Sequence, residues 1–169
     1  APVLGSHSTH LRTGIGGING GPLRAGTRLK LNPAPSGDLR ALPPAKHNMV
    51  PRPIRVVLGP QADTFPPEAI QVLLRSTYIV SSRSDRMAFQ LDGPPITHGA
   101  SFNIVSDGTI EGSIQIPGHG HPIVLMADRQ TTGGYPKIAT VISADLPQLA
   151  QRPPGSTVQF QEVTIDAAE

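Results

Sequence analysis

Residues 122–142 read "PIVLMADRQTTGGYPKIATVI". The apolar runs at either end are rich in branched residues and have the length of strands rather than helices. Between them, "DRQTTGGYP" at 128–136 gathers an acid, a cation, an amide, two hydroxyls, a Gly-Gly pair and a phenol. If the flanking runs are neighbouring strands, this segment is their connection. The same beat of apolar run and turn repeats from residue 54 onward, in "IRVVL", "TYIVS", "MAFQL", "FNIVS", "GSIQI", "PIVLM", "KIATVI" and "TVQFQEVTI". Recurrence at a spacing of about ten residues predicts a barrel or a sandwich.

Two segments carry a helical pattern instead. "FPPEAIQVLLRS" places Pro66, Pro67 and Glu68 in a first turn and Ile70, Leu73 and Leu74 on one face. "SADLPQLAQ" offers Ser143 or Asp145 as a cap, with Leu146, Leu149 and Ala150 on one side. The fold class is therefore mainly β with two short covering helices. In the last strand the inward phase passes from Val158 and Phe160 to Val163 and Ile165, which predicts a bulge.

Composition agrees with a sheet. A chain of 169 residues buries roughly 70% of its unfolded surface. With 37% hydrophobic residues and no tryptophan, its core is mostly Val, Ile and Leu. The net charge is +2 and the 14 cations are scattered, so the basic stripe that nucleic acid requires is absent. The lack of cysteine excludes disulfides, thiolate zinc sites and a Cys nucleophile. No signal peptide is read and no apolar run is long enough to span a bilayer, so a cytoplasmic protein with no membrane partner is expected.

Upstream of the strands the character changes. Residues 13–31, "TGIGGINGGPLRAGTRLKL", end in a short alternation, Leu29 and Leu31, that reads as the approach to a strand. Asn19 stands where a GxGxxG fingerprint needs its third glycine, and no helix pattern follows, so no dinucleotide site is predicted. Residues 33–53 hold six prolines and no apolar period, the signature of a linker or long surface loop.

The 128–137 segment carries the most chemistry. Gly133 and Gly134 let the backbone reach positive φ and let a ligand approach closely. Asp128 can take a proton, while Arg129 and Lys137 can hold a carboxylate or phosphate. Gln130, Thr131, Thr132 and Tyr135 supply neutral donors and acceptors. The plain alternative is a hairpin turn with a solvated ion pair, but such a turn has no need of Asp-Arg-Gln-Thr-Thr. In "SRSDRM", Arg83, Asp85 and Arg86 read on spacing alone as a surface ion pair at a turn. "GPQAD" at 59–63 and "VSDG" at 105–108 are ordinary turn sequences that, taken singly, say nothing of function. His119 and His121 in "PGHGHP" could share a strand face as metal ligands, with His98 as third. No carboxylate follows them, so a glycine-rich turn is favoured and no metal is expected.

In their order along the chain, "GPQAD", "SRSDRM", "VSDG" and "IQIPGHGHPIVLMADRQTTGGYPKIATVISADLPQLAQ" resemble one family. It is the allophanate hydrolase subunit 2 family, the A-and-B part of the urea carboxylase carboxyltransferase domain, which includes the 5-oxoprolinase C subunit and a sporulation-kinase-inhibitor antagonist. "PVLGSHSTHLRTGIGGINGGPLRAGTRL" fits its middle region, so the resemblance covers nearly the whole chain. It implies a cyclophilin-like β-barrel over 54–169. Residues 1–53 are then a Gly/Pro-rich segment and linker, the remnant of an absent N-terminal subdomain.

The resemblance also implies a partner, allophanate hydrolase subunit 1 (a KipI-like protein), and a small amide or lactam substrate. Asp128, Arg129, Gln130, Thr131, Thr132, Gly133, Gly134, Tyr135 and Lys137 match the family's signature loop, and Arg83, Asp85 and Arg86 its second motif. From their chemistry, Asp128, Arg129 and Lys137 are expected to be catalytic and the others substrate-binding. ATP is the implied co-substrate, shared with the partner. In a carboxylase version biotin sits on another chain, since no Met-Lys-Met attachment motif occurs here. The implied activity is that of an ATP-dependent 5-oxoprolinase component, with a urea carboxylase component or a regulatory module binding a kinase inhibitor as alternatives. Ala88 replaces a common glycine of the family, and His119 and His121 replace an acid or small residue and an amide.

Overall fold

The computed structural model describes residues 2–30, 52–99 and 101–168. The chain divides into two compact units, Ala1–His47 and Asn48–Glu169. The expected linker lies outside the described residues except for Arg52 and Pro53, as does Leu31.

In the first unit β1 (Thr9–His10) and β2 (Ile15–Gly16) form an antiparallel hairpin, Thr9 opposite Gly16. Asn19 holds φ +56°, a left-handed turn conformation that Asn tolerates better than most side chains. The missing third glycine is thus replaced by the residue type best able to take its backbone shape. Leu29 is 54% exposed and in no strand, contrary to the alternation read there.

The second unit follows the sequence rhythm closely. It contains β3 (Ile54–Leu58), α1 (Pro67–Arg75), β4 (Tyr78–Val80), β5 (Ala88–Asp92), β6 (Asp107–Gly108), β7 (Ser113–Gln115) and β8 (Ile123–Leu125). After these come β9 (Thr132–Gly133), β10 (Lys137–Val141), α2 (Leu146–Ala150), β11 (Thr157–Val158), β12 (Phe160–Glu162) and α3 (Ile165–Ala168). Eight strands make one sheet in the order β11-β4-β5-β8-β7-β10-β3-β12, antiparallel throughout except for β12 beside β3. The two outer members belong to one extended segment. It pairs with β4 up to Val158, then crosses to β3 from Phe160. The sheet therefore nearly closes into a barrel, as expected.

Inward residues of every wall meet in one core: Ile54, Val56, Tyr78, Val80, Leu91, Ile114, Val124, Ile138, Val141, Val158 and Phe160. Helix α1 starts at Pro67 with Glu68 in its first turn, buries Ala69 and Leu73, and packs on β12. Ile70 and Leu74 are partly buried beside them, so the predicted face is the packed one. At α2, Leu149 is buried but Ala150 is exposed. The proposed cap does not form there, because Asp145 is engaged elsewhere. Its carboxylate accepts from the Arg55 backbone N–H (2.8 Å), Nε (3.0 Å) and Nη2 (2.7 Å). Burial alone would push the Asp145 carboxyl up, but the Arg55 hydrogen bonds and charge outweigh it and hold it below the usual range.

Three sequence expectations differ in position. "FNIVS" is not a strand. Ser101 Oγ accepts from the Asn103 N–H and donates to the Asn103 carbonyl, a local turn that competes with a ladder, and Val105 is 92% exposed. The bulge is not in the last strand, where Ile165 is 65% exposed and opens α3. It is in β10, where the register against β7 slips between Lys137 and Ala139. Finally, "PIVLMA" and "KIATVI" are not neighbours, since β7 lies between them.

Candidate functional site

That last difference reshapes the signature loop. Strands β8 and β10 both run antiparallel to β7, so they are parallel to each other and no hairpin can join them. Residues 126–136 must travel the length of β7 before re-entering the sheet. The loop leaves beyond Leu125, whose carbonyl accepts from the Gly112 N–H at 2.8 Å. It returns at Lys137, opposite Gln115 at the other end of the ladder.

On the way it is strapped down. Thr132 and Gly133 pair with Gly108 and Asp107 as the β6–β9 ribbon. Thr109 donates its N–H to Thr131 O (3.0 Å) and its hydroxyl to Gln130 O (2.5 Å), and Ile104 N–H reaches Gly134 O at 2.8 Å. Neither Gly133 nor Gly134 takes positive φ, contrary to the turn reading. Gly133 packs closely on the sheet: a Cβ there would lie 2.5 Å from Gln115 Nε2 and displace that side chain, which donates to the Tyr135 carbonyl at 3.3 Å.

At the return end sits a buried cation. The Lys137 side chain is 4% exposed, and its Nζ donates to Asp107 Oδ2 at 2.6 Å and to Gly108 O at 3.0 Å. Asp107 also accepts from the Gly108 N–H (2.8 Å, Oδ1) and from Gln61 Nε2 (3.2 Å, Oδ2). Gln61 Oε1 in turn accepts from the Lys137 backbone N–H at 3.1 Å. The hydrogen bond from Lys137, then those from Gly108 and Gln61, hold the Asp107 carboxyl below the ordinary range. Gly59 packs against the same backbone. A Cβ on it would lie 2.3 Å from Lys137 O, a contact only glycine permits.

At the exit end a different pair forms. Arg86 Nε and Nη2 donate to Asp128 Oδ2 and Oδ1 at 2.8 and 3.0 Å, a two-pronged pair with Arg86 76% exposed. The Asp128 carboxylate raises the Arg86 guanidinium above its usual value. Asp85 accepts from Met87 and Ala88 N–H, fixing the turn before β5, and Arg83 pairs with Asp92 at 3.2 Å. Arg129 has a buried Nε with no hydrogen-bond partner among the described residues. Gln130, Thr131, Thr132 and Tyr135 are exposed along the crossing.

The fold divides the chemistry of the 128–137 segment between two centres, at opposite ends of the β7 ladder. Asp128 and Lys137 belong to different ones. The model of the carboxyltransferase domain, subdomain A and B, matches residues 1–162. The chain belongs to that family.

Among its relatives, the 5-oxoprolinase C subunit of Escherichia coli K12 is 38% identical over 167 residues, 99% of this chain and 54% of that protein. Its counterpart in Haemophilus influenzae Rd is 39% identical over 170 residues, 98% of this chain and 53% of that protein. The crystal structure of the K. lactis urea amidolyase superposes with a TM-score of 0.80 at 26% identity, over 99% of this chain and 12% of that one. The chain spans about half the length of the bacterial relatives it matches.

Within this carboxyltransferase-family domain, sequence reasoning passed over Gln61 and Asp107. Each lies in an ordinary turn sequence, and only the fold brings "GPQAD" and "VSDG" to Lys137. Their fixed order around "DRQTTGGYPK" was the one available signal. His119 and His121 lie side by side, ring centroids 5.4 Å apart, with His119 Nδ1 accepting the His121 N–H, while His98 Nε2 faces Pro117 O between Phe65 and Phe102. Among the described residues no three His, Cys, Asp or Glu side chains gather to hold a metal, and no helix is long and apolar enough to cross a membrane.

Proposed function

We propose that this domain is part of a C subunit of the 5-oxoprolinase type, acting in the cytoplasm within a heteromeric, ATP-dependent hydrolase of a small lactam. The observation that supports it is similarity along the whole chain to two bacterial C subunits at 38–39% identity, against 26% for the urea amidolyase. The partner is the first-subunit protein, allophanate hydrolase subunit 1 or its KipI-like equivalent. ATP is a co-substrate shared with that partner, phosphorylating the amide oxygen before ring opening.

Within this reading each centre has a task. Arg129, with its buried unpartnered Nε, is suited to a phosphoryl or carboxylate group, where fixed charge lowers the barrier of such transfers. Lys137, enclosed at the other end of the crossing, sets its charge against Asp107. Gln130, Thr131, Thr132 and Tyr135 offer exposed polar groups between them, while Gly133 and Gly134 let the crossing lie close against Gln115 and Ile104. Asp128, already gripped by Arg86, orients the exit rather than accepting a proton. Arg83 and Asp85 hold the β4–β5 turn that presents Arg86.

A second reading, the carboxyltransferase component of a biotin-dependent urea carboxylase, is favoured by the TM-score of 0.80 to the urea amidolyase. Biotin would then be carried by another chain. The deciding experiment is ATP hydrolysis by the full-length protein assembled with its partner subunits, with 5-oxoproline or urea added. Turnover that depends on 5-oxoproline supports the lactamase. A response to urea alone, requiring a biotinylated partner, moves the chain to the carboxylase. Partner binding with neither response leaves a regulatory module.

A further inference from the structure

The exposures at the return end invert the roles that residue type suggests. Lys137 is 4% exposed, and two of its three N–H groups are spent on Asp107 and Gly108. Asp107, its partner, is 52% exposed. A carboxylate offers about four lone-pair positions. Lys137 and Gln61 occupy Oδ2 and the Gly108 N–H occupies one position on Oδ1. One acceptor position remains, on an oxygen whose direction is fixed by three donors.

We propose that Asp107, rather than Lys137, is the side chain that meets substrate at this end of the crossing, where it accepts a single amide-type N–H. Lys137 and Gln61 act through it as positioning residues. This rests on the amide or lactam reading above, and sharpens it: the group recognised is the substrate nitrogen, not its carboxylate. A lactam nitrogen carries one N–H, which matches the one open position. The same three donors that fix the carboxylate also keep it ionised, so it holds the N–H and does not remove it.

The test is steady-state kinetics of the full-length protein with its partner subunits, for wild type, Asp107→Asn, Asp107→Glu, Lys137→Met and Lys137→Arg. Losing a charge-assisted hydrogen bond at this position should raise the KM for 5-oxoproline about tenfold or more in Asp107→Asn, with the KM for ATP unchanged. Lys137→Met should raise the same KM, and Lys137→Arg should recover part of it, which a merely structural lysine would not produce. If thermal denaturation shows Asp107→Asn unfolded, Asp107→Glu decides, because it keeps the charge and displaces the oxygen.

An unchanged substrate KM in the folded Asp107 variant overturns the proposal and leaves the lactam reading standing. So does a rise in Lys137→Met alone, which would make the lysine the contact. A wild type that turns over neither 5-oxoproline nor urea removes both together. If urea alone is the substrate, the same KM comparison applies to its N–H.

Discussion

The two ends of the β7 ladder each hold one cation and one carboxylate, and the pairs behave as opposites. At the exit, Arg86 stands in solvent and grips Asp128 with two prongs. At the return, Lys137 is enclosed and its partner Asp107 faces outward. An exposed pair gains little, because water and salt compete for both charges. An enclosed ammonium must be matched, and here a carboxylate and a carbonyl do so. The difference lies in burial, not in the residue types.

The strongest way to break this contrast is Gly59→Ala. The new Cβ would meet Lys137 O at 2.3 Å and Lys137 C at 2.9 Å, backbone atoms that cannot swing aside. A loss of about 1–3 kcal/mol in urea denaturation is expected, as for overpacked cores. An unchanged midpoint would mean that the GPQAD turn does not anchor the return end.

Next in size is Lys137→Met, read against pH. Asp107 is held below the ordinary carboxylate range by Lys137 first, so its contribution is complete above pH about 4 and disappears as pH falls through the lowered folded value. The stability gap between wild type and Lys137→Met should be present at pH 7 and close on acidification. A gap independent of pH would show that the lysine stabilises by packing alone. The smallest effect belongs to Arg86→Met, which should denature within scatter of wild type in both low and high salt. A clear salt-dependent loss there would erase the contrast between the two ends.

Much of the fold was legible because short branched apolar runs bounded by turn residues, as in "IRVVL", "MAFQL" and "KIATVI", are a local property that burial in a sheet enforces. The Pro66-Pro67-Glu68 start of α1 was legible for the same reason. What escaped was non-local. The order of strands decides that "DRQTTGGYP" is a crossing and not a hairpin, and no window of sequence contains that order. The site residues divide along the same line. Those inside the loop could be named from their chemistry, whereas Gln61 and Asp107 lie in turns 76 and 30 residues before Lys137 and meet it only once the sheet is assembled. "FNIVS" misled because an apolar alternation was met by a serine-held turn rather than by a neighbouring strand.

The crossing of segment 157–162 from β4 to β3 has a kinetic consequence. The final seam joins Phe160 to Ile54, partners about a hundred positions apart, and in parallel register. Such a contact returns nothing until a long loop has been closed, so it forms late and slowly. Until it does, β3 presents an unpaired edge of Ile, Val and Leu, the kind of template that captures another chain. The interval before that seam is drawn shut is when this domain is most exposed to aggregation, and Gln159, whose carbonyl receives the Ile54 N–H at 2.8 Å, is where the gap ends.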